Sequence, residues 1–100
     1  MTPFELIAQA TQAIVANPAD AAAYKQRAVT LFHMKQADEA LADLDTLIDK
    51  LHSEDSEVYQ LRAILRKERG DKMGAIDDMR RALDLNPDLL QQLTGKFQTE

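Results

Sequence analysis

Two arginine–aspartate pairs with identical spacing are the residues in this sequence best placed for a specific charge interaction. Arg27 and Asp43 stand 16 residues apart, and so do Arg62 and Asp78. An arginine guanidinium can bind a carboxylate through two parallel hydrogen bonds, a geometry that both joins structural elements and holds anionic ligands. Since each pair spans one predicted helix–turn–helix, the spacing favours a salt bridge inside each hairpin over a ligand site.

The histidines and the densest run of aspartates lack the spacing of a metal site. His33 and His52 are the only histidines. They fall on different predicted elements with no metal-ligand spacing between them, so we expect surface or partly packed side chains. The run DLDTLID, with Asp43, Asp45 and Asp49, superficially resembles a calcium loop but lacks the turn glycine and the closing glutamate. We therefore expect no metal site and interpret the run as a solvated helix face.

No motif for catalysis or cofactor binding occurs in the chain. No nucleophile stands at a recognisable spacing from a general base, and no glycine-rich loop is present that could hold a phosphate group. The sequence thus predicts a protein that is not an enzyme and that needs no cofactor.

The composition bounds the class of protein. One hundred residues with 45% hydrophobic content predict one small globular domain. Cysteine is absent, which excludes disulfides and thiolate metal sites. The first ten residues have neither the basic start nor the apolar run of a signal peptide, and no stretch approaches the roughly 18 apolar residues of a membrane helix. We expect a cytoplasmic protein without membrane contacts.

The charge is unevenly distributed. The net charge is −5, yet residues 59–81 hold 7 basic and 4 acidic groups, against 4 basic and 10 acidic groups in residues 1–58. Mixed-sign charge on predicted helices is typical of a solvated face. The acidic remainder would repel phosphates and no aromatic stripe for base stacking occurs, so we expect no nucleic acid partner.

An internal repeat organises the chain. Residues 24–50 align with residues 59–85 at a shift of 35. Apolar residues recur in both copies at three- and four-residue spacing, so each copy predicts a pair of helices. The identities include the alanines expected where two helices cross closely; the matched pairs are Tyr24 with Tyr59, Arg27 with Arg62, Ala28 with Ala63, Ala40 with Ala75 and Asp43 with Asp78.

A second shift, of 69 residues, places residues 2–18 on residues 71–87 and brings Asn17-Pro18 onto Asn86-Pro87. A proline restricts the residue before it and cannot continue a helix, so each Asn-Pro pair predicts a helix end. At the junction between these two, His52 stands where the proline would be, and we expect this middle junction to be the least regular. Thr2, Pro3 and Glu5 predict a capped helix start.

This pattern resembles the tetratricopeptide repeat (TPR), a helical hairpin of about 34 residues that stacks into superhelices. Residues 56–89 carry it more completely, and residues 21–54 more weakly. The matching residues are Tyr59, Ala63, Gly70, Asp71, Ala75, Ala82 and Pro87 in the later copy, and Tyr24, Ala28, Leu31, Ala40 and Leu44 in the earlier one.

The resemblance implies one all-α domain over residues 1–100, an αα-superhelix of about six helices. Its parts would be a half-repeat helix over residues 2–17, full repeats over residues 21–54 and 56–89, and a capping helix over residues 88–98. Such a cap is expected because a terminal hairpin cannot bury its own apolar face.

The resemblance also implies that the first helix of each repeat faces a concave groove that holds a peptide or a partner helix. Phe32 is either an anchor for that ligand or packs against the cap or a neighbouring hairpin. Lys25 matches a lysine of the subclass that clamps carboxylate tails, but Val29 and Leu61 replace its asparagines, which argues against that subclass. The implied groove residues are Lys25, Val29, Phe32, His33, Gln60, Ile64 and Lys67.

Two functional hypotheses follow. The first is a non-catalytic scaffold that binds a protein or peptide partner in this groove. The alternative is an assembly module, such as a homodimer formed through exposed repeat faces, because two repeats are fewer than the roughly three usually needed for independent stability.

Overall fold

The computed structural model describes residues 1–95, and all regular secondary structure in that range is helical. The predicted all-α class and number of helices are confirmed, while residues 96–98 of the predicted capping helix lie outside the described residues. A π-helical segment, Thr46–Lys50, continues the third helix. The helices are α1 (Pro3–Ala16), α2 (Ala21–His33), α3 (Ala37–Asp45), α4 (Ser56–Glu68), α5 (Lys72–Leu85) and α6 (Asp88–Gly95).

The chain forms two compact units, Met1–Ser53 and Glu54–Glu100. In the first, α2 packs against both α1 and α3, and in the second α4 and α5 form an antiparallel hairpin that α6 follows. Small residues dominate the buried positions, because an alanine lets two helix backbones approach closely. The buried apolar residues are Ala10, Ala23, Ala28, Leu31, Ala40, Leu44 and Leu47 in the first unit, and Val58, Ala63, Leu65, Ala75, Ala82 and Leu89 in the second.

The two Asn-Pro pairs form the same joint. Asn17 caps α1 with φ −145° and ψ 97°, and Asn86 caps α5 with φ −137° and ψ 85°. Each asparagine N–H donates to the carbonyl four residues earlier, at 2.9 Å. Because the following proline excludes the helical region for the asparagine, both helices end at the residue before it, as predicted.

The start of α1 is a complete capping box. The Thr2 hydroxyl accepts a hydrogen bond from the Glu5 N–H, and the Thr2 N–H donates to Glu5 Oε1, both at 3.1 Å. Pro3 occupies the first helical turn, where no N–H is required. Hydrogen bonds from the Thr2 backbone and side chain favour the carboxylate and lower the pKa of Glu5 below its usual value.

The turns inside the two hairpins are equivalent, although only one of them contains a glycine. Gly70 has φ 87°, and Lys35, its partner at the shift of 35, has φ 63°. In both turns the residue after the left-handed one donates across the helix end, from Gln36 to Leu31 O and from Asp71 to Arg66 O, at 2.9 Å. These are Schellman motifs, so the turn without glycine is as well defined as the other.

Lys35→Gly is expected to stabilise the protein, since a residue with a β-carbon is strained at this φ by roughly 1 kcal/mol and glycine is not. The expected gain of several degrees in Tm is measured by thermal denaturation followed by circular dichroism.

Two matched variants check this prediction. Gly70→Lys should destabilise by a similar amount, because a β-carbon there meets no atom within 4 Å and only the backbone conformation is penalised. Gln26→Gly, at an exposed position inside α2, should cost about 1 kcal/mol. If Lys35→Gly lowers Tm as Gln26→Gly does, the left-handed turn at Lys35 does not form in solution.

The junction between the units is the least regular, as expected from its missing proline. The π-helical segment Thr46–Lys50 ends at Leu51, whose N–H donates to Thr46 O at 3.0 Å, and His52 has φ 53°. A π-helical turn accommodates one more residue than an α-helical turn.

Candidate functional site

The hairpin of the second unit is held by a buried arginine–carboxylate clamp. Arg62 on α4 donates from Nε and Nη2 to the two carboxylate oxygens of Asp78 on α5, each at 2.8 Å. Both side chains are almost fully buried, at 8% and 4% exposure. Arg66 Nη1 also lies 3.1 Å from Asp78 Oδ2, so the carboxylate is shared between two guanidinium groups.

The first unit has the same clamp in a more exposed setting. Arg27 on α2 donates from Nε and Nη2 to Asp43 on α3 at 2.8 and 2.7 Å, and from Nη1 to the Thr11 hydroxyl on α1 at 3.2 Å. The Arg27 side chain remains 22% exposed. Hydrogen bonding to Asp43 raises the pKa of Arg27 above its usual value, while burial acts in the opposite direction.

These clamps are structural. The Arg27 and Arg62 guanidinium groups each bind both oxygens of one aspartate, and no buried side-chain nitrogen or oxygen of the described chain lacks a hydrogen-bond partner. A ligand would therefore have to displace an existing pair. The described residues also contain no cluster of three or more potential metal ligands, and none of their helices is long and apolar enough to cross a membrane.

The clamps determine which faces of α2 and α4 turn away from their partner helices. Lys25, Val29 and Phe32 recur at three- and four-residue spacing and form one stripe along α2. All three side chains are half-buried. The Phe32 ring contacts the ring of the exposed His33 edge-on, with centroids 5.5 Å apart. The corresponding stripe on α4 contains Gln60, Ile64 and Lys67.

The α4 stripe borders an open apolar cleft of about 470 Å³ between α4 and α5. Ile64 is 41% exposed and Ile76 50% exposed, so two large apolar side chains reach the surface side by side at this cleft. Both lysines of the cleft, Lys67 and Lys72, lie at its end nearest the Gly70 turn, where α4 ends and α5 begins. The cleft is lined by Ala63, Ile64, Lys67, Lys72, Ala75, Ile76 and Met79.

Of the predicted groove residues, only Ile64 and Lys67 line this cleft, and the residues of its α5 side were not among the predicted ones. Ile76 and Met79 lie on the apolar stripe of α5, which is indistinguishable in sequence from a helix face buried in the core. Comparison with the repeat-equivalent residues of the first unit separates the two cases. There Leu44 is fully buried and Leu41 is half-buried, whereas their equivalents in the second unit, Met79 and Ile76, are half-buried and exposed.

No protein-family model matches this sequence, and no curated protein resembles it significantly.

Proposed function

We propose that this chain is a non-catalytic, TPR-like scaffold that binds a peptide or protein segment on the outward faces of α2 and α4. The observation that carries the proposal is the open α4–α5 cleft, in which Ile64 and Ile76 are exposed beside two lysines. An exposed apolar patch with a polar rim is typical of a protein-binding surface.

Three further features support this proposal. The helical hairpins repeat in sequence and in their turn geometry, as hairpins of the TPR type do. The clamps occupy the charged groups that would otherwise be candidates for chemistry. Lys25, Val29 and Phe32 occupy the positions of α2 that correspond to Gln60, Ile64 and Lys67 on α4, so each first helix carries a row of basic or polar and apolar residues at the same spacing.

A capture experiment followed by mapping tests the proposal. Proteins retained from a lysate are identified, and the binding segment is prepared as a synthetic peptide. Titration of this peptide into the ¹⁵N-labelled chain should shift amide signals of α2 and α4. Ile64→Lys should weaken binding at least about tenfold, equivalent to 1.4 kcal/mol, because it places a charge in the centre of the apolar surface.

Met73→Lys is the matched control. Met73 is 71% exposed on α5 and lies outside the cleft, so the same charge there should leave the affinity unchanged. Shifts that spare α2 and α4, or equal losses of affinity in the two variants, would show that α2 and α4 do not form the binding surface.

A further inference from the structure

The first helix presents a second apolar surface, on the side opposite to its packed face. Ala10 is buried and Leu6, Ile7 and Ile14 are half-buried in the first unit. Phe4 and Val15, by contrast, are 73% and 79% exposed. Glu5, Gln9 and Gln12 form the polar exposed side of α1, so Phe4 and Val15 are large apolar side chains that lie outside the packed face and stay uncovered by the described residues.

Three exposed apolar residues of α1 lie on one side of the helix. Phe4, Ala8 and Val15 follow a spacing of four and seven residues, which places them on one face over a length of about 16 Å at the rise of an α-helix. Ala8, between the two large side chains, is also exposed. We name Phe4, Ala8 and Val15 the α1 stripe.

The α1 stripe and the α4–α5 cleft have charges of opposite sign. Glu5 is the only charged residue of α1, and it adjoins Phe4 at one end of the stripe. The cleft is lined by two lysines, also at one end, and by no acidic residue. An apolar helix with an acid at its N-terminal end therefore complements an apolar cleft with positive charge at its turn end.

We propose that the α4–α5 cleft binds the α1 stripe of a second copy of this chain, with Glu5 directed toward Lys67 and Lys72. This rests on the proposed role of the chain as a protein-binding scaffold and names the partner of one of its surfaces. A symmetric dimer in which the clefts of two copies face each other is disfavoured. Lys67 and Lys72 of both copies would then lie in one interface and repel each other.

The proposed contact is heterologous: the stripe of one copy uses the cleft of the next, and each copy retains one unused surface. Such contacts produce open chains unless the rotation between copies closes a ring. The assembly should therefore grow with protein concentration instead of stopping at a dimer.

Sedimentation equilibrium of two blocked variants tests this geometry. Phe4→Lys blocks the stripe, and Ile76→Arg blocks the cleft; both residues are at least half exposed, so circular dichroism should show unchanged helicity. Each variant alone should sediment as a single chain of 11.2 kDa. An equimolar mixture should form a 1:1 complex, since each partner supplies the surface that the other lacks.

Charge is tested separately with Glu5→Gln. Glutamine can close the same capping box, so α1 is retained while the negative charge is removed. The association should weaken several-fold and lose most of its sensitivity between about 0.05 and about 0.5 M salt, where screening increases strongly. Met73→Lys, on an exposed part of α5 outside the cleft, is the control that should associate like the unmodified chain.

Several results would overturn the proposal. A chain that remains monomeric at all concentrations has no such contact, and if it still binds peptide through α2 and α4, only this inference fails and the proposed function stands. If Phe4→Lys associates normally while Ile76→Arg does not, the interface joins two clefts.

Discussion

Asp78→Ala is expected to destabilise the protein by about 3–5 kcal/mol, because it leaves a buried guanidinium without its carboxylate. Arg62 donates two hydrogen bonds of 2.8 Å to Asp78, and its side chain is only 8% exposed. A domain of this size is stable by only about 5–15 kcal/mol. Urea denaturation followed by circular dichroism should therefore show a large fall in the midpoint, with much of the second unit unfolded near room temperature.

Asp43→Ala provides the matched comparison in the first unit. Arg27 is more exposed and keeps a hydrogen bond to the Thr11 hydroxyl, so the expected loss is smaller, about 1.5–3 kcal/mol. Arg66 also approaches Asp78, and the double-mutant cycle between Arg62 and Asp78 is best measured with Arg66→Leu in the background. Leucine stands at the equivalent position 31. Absence of coupling in that cycle would show that the clamp contributes nothing to stability.

Ala28→Leu is expected to cost about 1–3 kcal/mol by overpacking, since Ala28 is fully buried where α2 crosses α3. Ala63→Leu, at the repeat-equivalent position, is expected to cost less. Ala63 lines the open cleft of about 470 Å³, and the added methyl groups can extend into that space. Thermal denaturation of the two variants should separate their Tm values by several degrees.

The same pair of variants reports on the cleft. Ala63→Leu should fill part of it and weaken the proposed self-association, while Ala28→Leu should not affect the association of its folded fraction. Equal losses of stability in the two variants would mean that Ala63 is as tightly enclosed as Ala28, which contradicts an open cleft.

Local interactions explain why much of the fold is predictable from sequence. The Asn-Pro joints end α1 and α5 because proline acts on its neighbouring residue, and the capping box at Thr2 involves residues three positions apart. Arg27 and Asp43, and likewise Arg62 and Asp78, stand 16 residues apart on the two helices of one short hairpin. This spacing brings each arginine opposite its aspartate, and both pairs form. These features depend on residues that are close in sequence, so residue type and spacing are enough to predict them.

Other features required the tertiary structure. Lys35 adopts the left-handed conformation because the helices on both sides of its turn pack together and enforce it, although its sequence favours no such turn. Whether the apolar stripe of α5 is core or surface is likewise invisible in its sequence, because both have the same periodicity.

The sequence by itself determined the all-α class, which the described residues confirm, the ends of α1 and α5 at their Asn-Pro pairs, and the pairing of Arg27 with Asp43 and of Arg62 with Asp78. It did not indicate that Arg66 shares Asp78. Only the tertiary structure decided that Ala28 is enclosed while Ala63, its repeat equivalent, borders an open cleft with Ile76. It also decided that one face of α1 packs while Phe4 and Val15 remain exposed. The physical reason is that hydrophobic periodicity records that a helix face is apolar, whereas burial depends on which other atoms lie against it.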